Sequence, residues 1–140
     1  MAANTAPIFS IAGDIEWTTA AMTTANTTKD LSSGTRYLAF TADADGAFVQ
    51  RIRFRSLGSN TNATVARVWI NNGATPDTAT NNTLFDEITL TAITNSETAA
   101  QATFELPLNF ALPATYSIYV TVGTAPTSAG WQATVIGGKY

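Results

Sequence analysis

Hydrophobic and polar residues alternate with a period of two along most of this chain, which is the spacing of a half-buried β-strand. The stretch "AFVQRIRFRSL" shows the pattern well, because Phe48, Ile52 and Phe54 fall on one side of it. The opposite side carries Arg51, Arg53 and Arg55. Similar alternation predicts further strands in "IFSIAGDIEW", "RYLAFTA", "ATVARVWI", "LFDEITLTAI", "TFELPLNF", "TYSIYVTV" and "GWQATVIG".

Clusters of glycine, asparagine and aspartate separate these segments and predict turns, because these residues tolerate positive φ angles. The turn segments are "DADG" (43–46), "GSNTN" (58–62), "NNG" (71–73), "LPAT" (112–115) and "TAPTSAG" (124–130). The first two are interpreted as hairpin turns. Residues 74–83 predict a polar loop, and residues 20–33 a strand followed by a long connection.

The strand count predicts an all-β fold, namely a jelly-roll-like β-sandwich of about eight antiparallel strands, in preference to an immunoglobulin-like sandwich. No internal repeat or linker divides the chain, so residues 1–140 are expected to form a single domain. The uncharged start "MAANTAPIF" suggests an extended N-terminal arm, and "GGKY" a flexible C-terminal exit. Either end is a candidate for adding a strand to a neighbouring subunit.

Composition points to a protein that contacts other proteins. Charged residues make up only 12 % of the chain, about half the usual share. A neutral polar surface loses little hydration energy on contact, which favours a subunit packed against other protein. The net charge of −3 argues against nucleic-acid binding. No segment resembles a secretory signal or a membrane span, so we expect synthesis inside the cell, in the cytoplasm, and no membrane partner.

Enzymatic chemistry has few candidates in this sequence. The chain contains no histidine and no cysteine, which removes the usual general base, the Ser-His-Asp triad and the common zinc ligands. Two carboxylate pairs remain, Asp14 with Glu16 and Asp86 with Glu87, and a small carbohydrate-active enzyme would need such a pair to converge. Asp14 and Glu16 would share one strand face, and a solvated strand edge is the simpler explanation for them. We therefore expect no catalytic residue, no metal and no cofactor.

The arginine stripe is the most informative feature of the sequence. If "GSNTN" closed a five-residue hairpin, Arg53 would lie opposite Arg67, and Arg51 opposite Trp69. Cations and an indole on one sheet face are typical of protein interfaces. The predicted partner-binding residues are Arg51, Arg53, Arg55, Arg67 and Trp69. The alternatives are a solvated face, on which arginine stems cover apolar area, and a nucleic-acid contact.

Four segments carry a resemblance to a known family: "ATVARVWINNG", "NTLFDEITL", "ELPLNFALPATYSIYVTVGT" and "GWQATVIGG". With "TTANTTKD" near the N-terminus, they make the chain resemble small virion proteins of tailed bacteriophages. It is most similar to the cement, or decoration, proteins on the capsids of short-tailed phages. The resemblance implies a jelly-roll subunit on the capsid exterior, a homodimer rather than a trimer, that clamps neighbouring major capsid proteins. It implies no catalytic residues.

Two functional hypotheses follow, besides the enzyme. The first is a non-enzymatic cement protein that stabilises a phage shell. The alternative is a tail- or fibre-associated module that binds a host surface glycan or protein. In that alternative, exposed aromatic residues such as Trp69, Trp131 and Tyr119 would matter more than the arginines.

Overall fold

Two antiparallel sheets of four strands each make up most of the protein, as seen in a computed structural model that describes residues 10–127 and 129–140. The strands are β1 (Ala12–Trp17), β2 (Tyr37–Thr41), β3 (Ala47–Ser56), β4 (Asn60–Thr61), β5 (Thr64–Asn71), β6 (Asn82–Leu90), β7 (Ile93–Thr94), β8 (Phe104–Leu112), β9 (Ser117–Val122) and β10 (Trp131–Lys139). A short 3-10 turn spans Ala79–Asn81. The prediction of an all-β fold with antiparallel sheets is confirmed, and the arrangement is consistent with a β-sandwich. No helix among the described residues is long and apolar enough to cross a membrane.

The first sheet has the strand order β1-β10-β3-β8, and the second has the order β2-β9-β5-β6. The two-residue strands β4 and β7 pair separately. Apart from β4 and β7, only β5 and β6 follow each other in the chain and also pair with each other; every other connection passes from one sheet to the other. The prediction that "DADG" and "GSNTN" close hairpins is therefore wrong. Residues 43–46 do form a turn, in which Gly46 N–H donates to Asp43 O at 2.9 Å, but it joins β2 to β3 across the sandwich.

The hydrophobic core lies between the two sheets and is built from the alternating inward positions of both. Its largest fully buried members from the first sheet are Ile52, Phe54 and Trp131, and from the second Phe40 and Leu90. One part of the predicted alternation is wrong. The pairing of β3 shifts register at Gln50, so Val49 and not Phe48 enters the core. This β-bulge lets Val49 and Ile52 share the inward face although they are three residues apart.

Two large apolar side chains, Trp69 on β5 and Leu31 in the segment after β1, are fully buried but lie outside the main core. Residues 18–36 form an irregular segment that passes from the first sheet, where Met22 bridges Trp131, to the second, where Ala25 bridges Val122. Arg67 Nη1 on β5 donates to Asn26 O, so this later part of the segment covers the outer face of the second sheet. The predicted polar loop at residues 74–83 lies between β5 and β6, but its last two residues, Asn82 and Thr83, already belong to β6.

The C-terminal residues belong to the fold and do not form a flexible exit. Gly138 and Lys139 pair with β3, and Tyr140 N–H donates to Gly46 O at 3.3 Å. The expectation of a free C-terminal "GGKY" arm is therefore wrong. The N-terminal arm predicted for "MAANTAPIF" lies outside the described residues.

Two glycines in the first sheet give a matched test of strand spacing. A Cβ at Gly137 would lie 2.3 Å from Phe48 O, whereas a Cβ at Gly13 would meet nothing within 4 Å. We expect Gly137→Ala to lower the free energy of unfolding by roughly 1–3 kcal/mol, because backbone must move to relieve the overlap. Gly13→Ala is expected to be neutral or slightly stabilising. Urea unfolding of both variants measures the difference, and equal effects would contradict this account.

Candidate functional site: the arginine face

The three arginines of the stripe lie side by side on the outward face of β3. Beyond the register shift at Gln50 the strand alternates regularly, so Arg51, Arg53 and Arg55 all point away from the core. The side chains of Arg51 and Arg53 are 41 % and 38 % exposed. The predicted stripe therefore exists as one row.

Arg67 and Trp69 do not join this row, and the prediction that they lie opposite it is wrong. Both belong to β5 in the second sheet, since residues 57–63 carry the chain from one sheet to the other. Arg67 is only 9 % exposed and Trp69 only 1 % exposed. The Trp69 indole N–H donates to Thr121 Oγ1 at 3.0 Å, so its polar atom is satisfied internally. The predicted pairing of Arg51 with Trp69 does not form, because the two residues belong to different sheets.

The true neighbours of the arginines come from β1, β8 and β10. Residues directly opposite one another in adjacent strands point to the same face of a sheet. Arg51 is flanked by Ile136 and Pro107, and Arg53 by Thr134 and Glu105. One strand further out, Ile15 pairs with Ile136, and Trp17 with Thr134. We call this surface the arginine face and define it by Ile15, Trp17, Arg51, Arg53, Arg55, Glu105, Pro107, Thr134 and Ile136.

Glu105 is the carboxylate that both Arg51 and Arg53 share. Arg53 makes a close ion pair and hydrogen bond to it, whereas Arg51 Nη1 lies 3.6 Å from Glu105 Oε2. Arg55 makes a weak hydrogen bond to Ala102 O, at 3.4 Å, and no ion pair in the described part of the chain. Three arginines and one glutamate leave the face with a formal charge of +2. The whole chain carries −3, so its remaining residues sum to −5.

Arg51 also lines a polar cleft of about 270 Å³ with Gln50, Glu105, Pro107 and Asn109. Its Nε atom is buried and has no hydrogen-bond partner among the described residues. Because that atom is closed off from the surface, it is not available to another molecule. An acceptor in the cleft, such as a carboxylate or a carbonyl oxygen, would meet the part of the Arg51 side chain that is exposed, which is 41 % of it.

Trp17 and Ile15 were not predicted as site residues. Trp17 is 53 % exposed and Ile15 57 % exposed, although both alternate with the acidic Asp14 and Glu16 as core residues of a strand would. Alternation alone would place Ile15 and Trp17 in the core and the two carboxylates in solvent, but β1 has the opposite orientation. Its acidic side chains face the second sheet, where Glu16 Oε2 accepts a hydrogen bond from Thr41 N–H at 2.8 Å, and its apolar side chains face outward. The alternation was visible in the sequence, but the choice of inward face was not.

The comparisons with known proteins add no relative. No family model, curated protein or solved structure matches this chain. The arginine face therefore has to be interpreted from its own geometry and charge.

The other candidate residues are separated or buried. Asp14 and Glu16 lie on β1 at the edge of the first sheet, while Asp86 and Glu87 lie on β6 at the far edge of the second. Glu87 is paired with Arg67, whose Nε lies 2.6 Å from Glu87 Oε1. Among residues 10–127 and 129–140, no group of three or more metal-ligating side chains occurs. Of the aromatic residues in the glycan-binding alternative, Trp69 and Trp131 are buried and Tyr119 is half-buried, which removes the expected platform.

Glu16 makes the stability of the protein depend on pH. Burial raises the pKa of its carboxyl; the hydrogen bond from Thr41 N–H opposes this, and the charges of Asp14 and Asp43 add to it. A raised folded-state pKa means that the stability contributed by this group is present below its ordinary pKa of 4.5 and is lost as pH rises through the higher folded value. Glu16→Gln keeps an acceptor for Thr41 and removes the charge. We expect this variant to unfold at a higher temperature than the wild type at pH 7, with the difference vanishing near pH 4. Paired thermal melts at both pH values measure it, and a constant difference would contradict the assignment.

Proposed function

We propose that this protein is a non-enzymatic virion structural protein that binds the outside of a phage capsid and clamps neighbouring major capsid proteins. The arginine face is the observation that carries the proposal. It combines three outward guanidinium groups with the exposed side chains of Ile15 and Trp17 on a single regular sheet. Exposed arginine and tryptophan are the residues most often found at the energetic centre of protein interfaces.

The charge of this face suggests the kind of surface it meets. A +2 face on a chain with a net charge of −3 orients the protein toward acidic side chains and backbone carbonyls of a partner. The exposed parts of the Arg51 and Arg53 side chains supply N–H donors for such a group. Apolar contact through Trp17 and Ile15 adds affinity that salt does not screen. Many copies on a lattice would convert modest individual affinities into a large total stabilisation of the shell.

The proposal includes a finer assignment of the fold, a jelly roll. Without the two-residue strands β4 and β7, the eight long strands in chain order form sheets 1-8-3-6 and 2-7-4-5. Nearly every connection crosses between the sheets, as expected for two interlocked Greek keys. The sequence resemblance to phage cement proteins supports the same assignment, together with a homodimer as the working unit.

The copy number of the protein in purified virions tests this function. We expect on the order of hundreds of copies per particle, because avidity on a lattice requires a protein at many equivalent positions. Quantitative staining of gels against the major capsid protein measures the ratio. A dozen copies or fewer would overturn the proposal and favour the tail- or fibre-associated alternative. Absence of the protein from washed virions would overturn both.

A further inference from the structure

β1 forms the edge of the first sheet and pairs, in the described part of the chain, with β10 alone. Thr18 N–H donates to Ala133 O at 2.9 Å, which fixes the phase of the ladder. Because antiparallel hydrogen bonds alternate, the N–H groups of Asp14 and Glu16 face β10, and those of Gly13, Ile15 and Trp17 point away from the sheet. These outward groups form a template for one more strand.

The other three sheet edges are interrupted or already bonded, whereas the described residues leave the outward N–H groups of β1 without a partner. In β8 the edge is interrupted by Pro107 and by Asn109, whose φ is +52°. A register shift breaks the pairing of β6 with β5, and in β2 the Thr41 N–H is already taken by Glu16. β1 pairs without a register shift from Ala12 to Trp17 and contains no proline and no lysine. The protective device that β1 does carry is its pair of inward-pointing carboxylates, Asp14 and Glu16. They oppose an added strand that brings no cations, so this regular edge suits strand addition by a segment of complementary charge.

The side chains along this edge select the incoming strand. Ile15 and Trp17 lie on the outer face, and with Leu38 of β2 they line a groove of about 310 Å³. Asp14 and Glu16 lie on the other face and form no salt bridge among the described residues. Lys139, which pairs with Ala12 at the start of β1, forms its salt bridge with Asp43 instead. We propose that β1 binds an extended segment of a partner protein in which apolar residues alternate with lysine or arginine. The apolar residues cover Ile15 and Trp17, and the cations face Asp14 and Glu16.

A second copy of β1 fits this edge poorly. In a continuous antiparallel sheet, directly opposed residues share a face, so self-pairing would place carboxylates against carboxylates. A pair centred on Ile15, for example, sets Asp14 of one copy opposite Glu16 of the other. Charge complementarity therefore favours a partner strand that carries cations over a second copy of β1. The proposal does not rest on capsid binding, because it holds for whichever protein supplies the strand.

Amide hydrogen exchange of the full-length protein tests the proposal, with a short peptide of alternating valine and lysine as the probe. We expect saturating peptide to slow exchange at Ile15 and Trp17 by at least about tenfold. A peptide of alternating valine and glutamate is expected to give no protection. Replacing Asp14 and Glu16 together by Asn and Gln should weaken binding of the lysine peptide and reduce its salt dependence.

Two variants at one position separate strand addition from simple apolar contact. Ile15→Pro removes an N–H that points away from β10, so the fold should survive while peptide protection is lost. Ile15→Val keeps the N–H and should bind nearly as the wild type does. Equal protection by both peptides, or by neither, would overturn the proposal. So would slow exchange at Ile15 and Trp17 in the free monomer, which would mean that the chain covers its own edge. Protection that rises with protein concentration, in step with dimer mass, would assign the edge to a second copy instead.

Discussion

Replacing Arg67 by alanine is expected to lower the free energy of unfolding by about 2–4 kcal/mol, the largest loss among the arginine variants. Its guanidinium lies under residues 18–36, donates from Nη1 to Asn26 O at 3.4 Å, and pairs through Nε with Glu87. Alanine would leave a cavity and remove a charge-assisted hydrogen bond that ties the irregular segment to the second sheet. Arg67 is thus a structural residue, although it alternates with apolar residues along its strand just as the arginines of the stripe do.

Arg55→Ala is the matched control for this measurement. Arg55 also lies on a strand and points away from the main core, but it is half-exposed and forms no ion pair in the described residues. Its replacement should change the free energy of unfolding by no more than about 0.5 kcal/mol. Chemical unfolding followed by the fluorescence of the buried tryptophans measures both. Equal losses for the two variants would contradict the division between a structural and an interfacial arginine.

Reversing Arg51, Arg53 and Arg55 to glutamate together is expected to weaken capsid binding by at least about 100-fold, because arginine is enriched among the few interface residues that dominate affinity and because like charges facing each other across an interface cost several kcal/mol. The change turns a +2 face into one of −4, which repels the acidic groups that the proposal assigns to the partner. Wild-type and variant protein added to heads stripped of the protein, followed by sedimentation, measures the occupancy. Full occupancy by the triple variant would make the stripe a solvated face and overturn its role.

Two controls make that result interpretable. Arg53→Glu places two carboxylates opposite each other across β3 and β8, so a triple glutamine variant provides a milder change with the same loss of cations. Thermal melts verify that both triple variants are folded. Lys29→Glu, an exposed site on the segment that covers the other sheet, changes the net charge as much as Arg55→Glu does. Only Arg55→Glu is expected to reduce binding.

Alternation within β3 predicted some of the side-chain directions on the arginine face but not all of those in the strand. The alternation in β3 predicted correctly that Arg51, Arg53 and Arg55 share one face, because side-chain direction in a strand is a property of neighbouring residues. The same pattern placed Phe48 in the core, and the bulge at Gln50 reversed that assignment. A bulge is chosen by the fit of two partner strands, β8 and β10, that are distant in sequence. Periodicity in one strand carries no information about it.

The choice of strand partners was the larger error. A glycine- and asparagine-rich segment of five residues at 58–62 is compatible with a hairpin, and that reading put Arg67 and Trp69 beside the stripe. In the structure the same segment carries the chain across the sandwich, because β3 and β5 each bury an apolar face against the opposite sheet. The predicted site kept its three arginines, lost Arg67 and Trp69 to structural roles, and gained Trp17, Ile15 and Glu105.

The sequence by itself determined an all-β chain with strands in the expected segments, an arginine stripe on one face of one strand, and no histidine or cysteine for catalysis. These properties follow from local alternation, turn residues and composition, which need no knowledge of distant contacts. Only the tertiary structure decided which strands are neighbours, which face of β1 turns outward, and which polar groups are satisfied internally. The physical reason is that burial and strand pairing depend on contacts between segments that are far apart in the chain. These contacts form only when all strands pack together, so no single segment determines them.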